Sequence, residues 1–288
     1  MLEKSFILSN KIEIPSIMMG TSLCDCKGDK RQLEIQLINS VFTAATYGIR
    51  GFDTARDYNN ESLLGSTFKK LWKKNGIKRR ELFITTKVGN SQQRLKNISE
   101  QIDISLKSLK TDYIDLWLLH WPYPDFYIEN WRKMEEVYRS GKVRAIGICN
   151  CRERHLNSLL NAGISIKPMV VQFEYHPFRT VTSLMQLCKE QNLQVEAYSS
   201  LCCMLPFVRE NEVLKSLASK YGKSVAQVII HWHLQQGVIP IFRSFNANRL
   251  KSNVEVFDFA LEKDDMDSIF ALDKNYKFHP ESINCPGF

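Results

Sequence analysis

Eight short apolar runs, each followed by a stretch of helical periodicity, divide this sequence into repeating strand–helix units. The runs fall at 17–20, 51–53, 82–87, 114–120, 145–149, 169–173, 194–198 and 238–240. The helical stretches fall at 32–47, 61–75, 98–109, 131–139, 154–161, 183–191, 224–236 and 249–256. Strands separated by helices run parallel, and parallel strands need both faces covered, which leaves a doubly wound sheet or a closed barrel. Eight units without a break in composition favour a (β/α)8 TIM barrel, read as a single domain over 1–288. Glycines 48, 76, 141, 163 and 237 stand where helices should stop. No Gly-x-Gly-x-x-Gly turn follows the first strand, so the dinucleotide fingerprint of the doubly wound fold is missing. Segments 6–8 and 11–14 read as an N-terminal β-hairpin around Asn10. Two further helices, 211–221 and 264–272, lie outside the repeat.

Composition narrows the functional classes. With 44% hydrophobic and 24% charged residues the chain is globular rather than disordered. The net charge of +8 is scattered in short runs, without aromatic-interleaved basic stripes or zinc-finger spacing, so the reading excludes nucleic acid as partner. No apolar run approaches the roughly twenty residues that span a bilayer, and no membrane partner is expected. Glu3, Lys4 and Lys11 leave no room for a secretory h-region. The chain is therefore read as cytoplasmic, with its eight cysteines as thiols.

Active sites of parallel barrels lie at the C-terminal ends of the strands. There the sequence places Asp53, Lys87 and His120 on three successive strands, with Tyr58 in the loop after Asp53. Each admits a structural role alone, as a cap, a rim residue, a surface charge or a core histidine. Together they imply more, because the apolar run into Lys87 brings a cation to a buried strand end, where it needs a counter-ion, and Asp53 is adjacent. An ammonium beside a phenol favours phenolate and is expected to lower the Tyr58 pKa, which suits a general acid. His120 would orient a carbonyl or share the proton. The set suits protonation of an oxygen that has just received a hydride.

The segments Gly51-Phe52-Asp53-Thr54-Ala55-Arg56-Asp57-Tyr58-Asn59-Asn60-Glu61, Ile84-Thr85-Thr86-Lys87 and Asp115-Leu116-Trp117-Leu118-Leu119-His120-Trp121-Pro122 resemble the aldo-keto reductases, and the resemblance extends over nearly the whole chain. It implies a (β/α)8 barrel, NADPH bound without a Rossmann domain, and a catalytic tetrad of Asp53, Tyr58, Lys87 and His120. Gly147-Ile148-Cys149-Asn150 is similar to the family's Gly-Val-Ser-Asn, so Asn150, Cys149 and Gln172 are implied to hold the nicotinamide carboxamide. Cys149 departs from the pattern, and a thiol donates more weakly than a hydroxyl. Tyr198 matches the ring stacked on the nicotinamide. Gly20, Thr21, Ser22, Ser199, Ser200 and Leu201 complete that end, with Asp53. Arg243, Ser244, Phe245, Asn246, Arg249 and Asn253 resemble the adenosine-phosphate loop. Arg243 stands where many members carry Lys, and Arg243 and Arg249 suit the 2'-phosphate and adenine. Ser252 stands where relatives often carry an acid.

His120, Trp121 and Cys24 are expected to meet the substrate, a small-molecule carbonyl, with Tyr123, Phe126 and Tyr127 around the mouth. The tail from Tyr276 to Phe288 is short, which implies an open mouth and favours apolar or aromatic carbonyls. Gly89 stands where relatives often place a bulky aromatic, again implying room. The chain is expected to be a monomer or weak dimer, with no metal. The cysteines after strands (24, 26, 149, 151, 202 and 203) pose a separate question of soft-metal binding or redox sensing. The alternative to a reductase is a barrel that binds NADPH as a regulatory or structural subunit.

Overall fold

The computed structural model describes residues 4–279 apart from 25 and 96, together with the backbone but not the side chain of residue 74; the last part of the expected tail, 280–288 with Cys285, lies outside the described residues. A two-stranded antiparallel hairpin, β1 (Ser5–Ile7) and β2 (Glu13–Pro15), comes first. Parallel strands β3 (Met18–Gly20), β4 (Gly51–Asp53), β5 (Phe83–Val88), β6 (Leu116–Leu119), β7 (Ile146–Cys149), β8 (Val170–Glu174), β9 (Gln194–Tyr198) and β10 (Val238–Phe242) then close into a barrel, β10 returning to β3.

Twelve α-helices alternate with them or extend the loops among the described residues: α1 (Lys30–Thr46), α2 (Glu61–Lys74), α3 (Asn90–Gln93), α4 (Ser99–Leu109), α5 (Tyr127–Arg139), α6 (Glu153–Leu160), α7 (Thr182–Glu190), α8 (Pro206–Arg209), α9 (Glu212–Tyr221), α10 (Val225–Gln235), α11 (Ala247–Val254) and α12 (Lys263–Phe270). Local chemistry sets several starts. Asp29 accepts from the Gln32 backbone N–H to open α1, and Ser224 and Gln227 cap α10 reciprocally. The five expected helix-stop glycines all have positive φ. The additional helices α9 and α12 fall where the sequence puts them, whereas the four-residue helices α3 and α8 carry too little periodicity to be read.

Burial divides into two layers. Between strands and helices lies the larger core, with Trp117, Trp131, Trp232, Phe52 and Phe68 fully buried. Inside the barrel a smaller apolar column runs from Leu8 and Ile14 of the hairpin through Met18, Phe83, Leu116, Leu118 and Ile239 to Cys149. Gly147 keeps β7 close to β8: a Cβ there would meet the Val170 carbonyl oxygen at 2.3 Å.

One strand is longer than expected. Pro240 does not end β10, because the strand pairs with β9 through Pro240 and with β3 from Ile241 onward. The missing proline N–H falls where the strand changes partner.

Candidate active site

Asp53 ends β4, Lys87 lies one residue before the end of β5, and His120 follows the last residue of β6 with its backbone N–H donating to the Val88 carbonyl. The Lys87 ammonium is fully buried and donates to both Asp53 oxygens at 2.6 and 2.7 Å and to the Thr54 carbonyl at 3.1 Å. Burial works against its charge, yet Asp53 and then Tyr58 outweigh that, and Lys87 stays protonated above the ordinary lysine value. The pair is braced from the side. Thr21 donates to the Asp53 carbonyl, Asn60 donates to the Thr21 carbonyl, and Thr54 donates to Asn60.

Tyr58 closes the 3-10 turn Arg56–Tyr58 and lies with its ring centroid 5.2 Å from the Lys87 ammonium and 5.8 Å from the His120 ring, edge to face. The structure thus brings the four expected residues together. It differs from the sequence reading on one point. Burial raises the Tyr58 phenol above its usual value, Lys87 pulls it down, and Asp53, Cys149 and Cys24 push it up, so the net shift is upward. The reason is the dry surroundings, which penalise a phenolate more than one ammonium compensates. A phenol in this setting holds its proton at neutral pH. Burial also lowers the His120 pKa, against the hydrogen bond that the ring makes to the Asp57 carboxylate, and so favours the neutral ring.

Below the four residues Cys149, Gln172 and Glu196 stand in register across β7, β8 and β9. Gln172 donates to Asp53 at 3.0 Å and to Glu196 at 2.8 Å, and its oxygen accepts from the Cys149 thiol at 3.5 Å. Gln172 therefore faces inward as a bridge between two carboxyls. Glu196 is fully buried, and burial followed by the neighbouring Asp53 pushes its pKa up to about 8; its Oε1 has no hydrogen-bond partner among the described residues. Sequence reasoning missed Glu196, since its strand position signals only a polar residue in an apolar run.

Asn150, at φ 59° after β7, donates to the His120 carbonyl at 2.9 Å and to the Cys149 sulfur at 3.1 Å, and accepts from the Tyr198 hydroxyl at 2.6 Å. Tyr198 ends β9 and meets the His279 ring edge at 5.8 Å. Ser199 and the turn Cys202–Met204 hold left-handed φ of 45–51°, a conformation costing side-chain-bearing residues about 1–3 kcal/mol each. Ser200 is buried and donates to the Ile241 carbonyl, while Leu201 packs on the larger core.

Across the barrel mouth the Arg243 guanidinium donates to the Ser22 carbonyl and lies 5.7 Å from the Phe245 ring. Gly20 ends β3 beside it, Asn246 caps α11 by accepting from the Arg249 N–H, Ser244 accepts from the Asn246 N–H, Arg249 is exposed and Asn253 buried. The residue types fit an extended dinucleotide phosphate. Amides and an aromatic ring stand near the tetrad, and cations stand on the β10 loop. Trp121 is buried, its carbonyl accepting from Gln93, with the Lys277 ammonium 6.0 Å from its ring; Cys24 is exposed, within electrostatic reach of Tyr58.

The seven described cysteines are free thiols, and burial raises the pKa of Cys149, Cys151, Cys188 and Cys202, opposite to an activated thiolate. Among the described residues no group of three or more His, Cys, Asp or Glu is placed to hold a metal, and no helix is long and apolar enough to cross a membrane.

A barrel of eight parallel strands with this polar cluster at its C-terminal mouth defines an α/β-barrel enzyme class, and comparison gives the family. The aldo/keto reductase family model matches residues 16–274. The glyoxal reductase of Bacillus subtilis is 40% identical over 279 residues, covering 97% of this chain and 96% of its own. The methylglyoxal reductase DkgA of Escherichia coli strain K12 is 37% identical over 248 residues, covering 85% and 88%. An aldo-keto reductase from a Medee basin deep-sea metagenome library superposes with a TM-score of 0.88 at 35% identity, covering 96% of this chain and 98% of its own. Another, solved with NADPH, gives 0.89 at 28% identity, covering 96% and 90%. The chain belongs to the aldo/keto reductase family and is an oxidoreductase.

Proposed function

We propose that the protein reduces small aldehydes or ketones to alcohols with NADPH, with Tyr58 as the proton donor. The observation that carries this reading is the fully buried Lys87, locked onto Asp53 beside the Tyr58 ring with His120 on the other side. Bound NADPH supplies the hydride to the carbonyl carbon. The carbonyl oxygen lies against the Tyr58 hydroxyl and takes the phenolic proton as the C=O bond becomes C–O–H. Lys87 then stabilises the tyrosinate left behind, and Asp53 keeps the ammonium in place. A phenol held protonated until an alkoxide develops is matched to donation rather than abstraction.

Asn150 and Tyr198 would hold and stack the nicotinamide end. Arg243 and Arg249 would bind the 2'-phosphate, Arg243 exchanging its contact with the Ser22 carbonyl for the anion. Glyoxal and methylglyoxal, the substrates named for the relatives, are the first carbonyls to assay.

The test is a carbonyl panel with both coenzymes, following loss of dihydronicotinamide absorbance. Turnover with NADPH supports the reading; tight NADPH binding with no turnover of any carbonyl favours a binding subunit instead. Arg243→Ala is expected to weaken NADPH by roughly tenfold or more, the scale of one charge-assisted contact, and NADH much less. Equal losses would contradict a 2'-phosphate role.

A further inference from the structure

Gly89 does not simply leave room. A Cβ at this position would lie 2.0 Å from Asp57 Oδ1 and 2.3 Å from Oδ2, so the carboxylate of Asp57 occupies the space a side chain at 89 would need. The same carboxylate meets His120 Nδ1 at 3.1 Å and accepts the Asn90 backbone N–H. It is 37% exposed, open toward solvent beside Tyr58 and His120. The resemblance implies an apolar aromatic wall here, and the chain instead carries a fixed anion.

Two consequences follow from hydrogen-bond chemistry. A carboxylate accepts only, so the ring nitrogen facing it carries the hydrogen, and the neutral His120 ring keeps its lone pair on Nε2. A carboxylate also has about four acceptor positions, and two donors account for half of them. The rest are left for solvent or for a molecule entering beside His120.

Resting on the reductase reading, we propose that Asp57 is a specificity-determining and positioning residue: it fixes the His120 ring through Nδ1 and favours carbonyls bearing a hydroxyl or ammonium donor next to the C=O over carbonyls bearing a carboxylate. The charged or titratable groups around the pair are Arg56 beside Asp57, and Lys87, Asp53 and Tyr58 beside His120. Lys87 opposes protonation of the imidazole, whereas Asp57 and Asp53 favour it.

The experiment compares kcat/KM for glyceraldehyde, propionaldehyde and succinic semialdehyde with NADPH in the wild type, Asp57→Asn and Asp57→Ala. The expected result is a fall of tenfold or more in the glyceraldehyde to succinic semialdehyde ratio in Asp57→Asn, which removes the charge and keeps an acceptor for Nδ1–H. An unchanged ratio overturns the proposal. The positioning half is read without turnover, by nitrogen NMR of histidine-labelled protein, with His120 assigned through His120→Gln. The hydrogen of the neutral ring is expected on Nδ1, with a titration midpoint that drops in Asp57→Asn and drops further in Asp57→Ala. A hydrogen on Nε2, or a midpoint indifferent to both variants, overturns it. If the wild type reduces none of the three aldehydes, the reductase reading and the selectivity half fail together, and the NMR result still decides how His120 is held.

Discussion

The two ends of the barrel each bury an acid against a base, and they finish the job differently. At the N-terminal end Asp115 is fully buried, and its oxygens accept from Arg79 and Arg144 at 2.7 Å each and from the Ile84 backbone N–H at 2.9 Å. Arg79 lies 4.0 Å above the Tyr113 ring and donates further to Thr111, Leu82 and Tyr113. Both guanidiniums are paired to the one carboxylate, which takes three hydrogen bonds in all. At the C-terminal end the Lys87–Asp53 pair is equally tight, but around it Glu196 keeps an oxygen without a partner and burial forces Tyr58, Cys149 and Glu196 upward in pKa. An acid shared by several donors belongs to the end that supports the fold; a buried acid with an oxygen left over belongs to the end where a reaction can use it.

The sharpest way to break this contrast is Tyr58→Phe. Reduction is expected to fall by about 10²- to 10⁴-fold, the usual worth of a positioned general acid, with NADPH affinity nearly unchanged in a fluorescence titration. A fully active variant would remove the phenol from the chemistry. Asp115→Ala should act in the opposite sense. Removing the acid between two arginines is expected to cost about 3 kcal/mol of stability, at the lower end for breaking a buried pair because both guanidiniums reach solvent in part. Urea unfolding measures that loss, and kcat/KM per folded molecule is expected to hold; a selective loss of turnover would erase the distinction between the ends.

Glu196→Gln tests the same end through the pH dependence of stability. With its folded pKa near 8, above the ordinary 4.5, Glu196 binds more protons folded than unfolded across that window. Its contribution is present in full below about pH 4.5 and is lost as pH rises through 8. The glutamine variant should therefore lose less melting temperature than the wild type between pH 5 and pH 8.5. An identical slope in both proteins would mean that Glu196 is not the titrating group.

Much of this could be read from sequence because strands buried on both faces write continuous apolar runs, and a polar residue ending such a run stands out. Asp53, Lys87 and His120 were visible for that reason, and Tyr58 by its place in the loop beyond Asp53. What the sequence hides depends on register and on empty space. Glu196 lies beside Gln172 only because β8 and β9 pair at those positions. Asp57 fills the volume left by Gly89 although 32 residues separate them, and a glycine by itself signals only vacancy. The Tyr58 shift runs opposite to the sequence expectation because adjacency to a cation is legible and the degree of drying is not. The short helices α3 and α8, at four residues each, offer barely one turn of pattern.

The hairpin at the far end of the barrel gives the apolar column its stopper. Leu8 and Ile14 seat beneath Met18, Phe83 and Leu116, and the same stack ends at Cys149 under the tetrad. Were that cork to loosen, water would climb the axis and wet the ammonium of Lys87 from behind. The first sign of damage to the start of the chain would then be a softened electrostatic grip at the opposite rim, felt well before the barrel itself came apart.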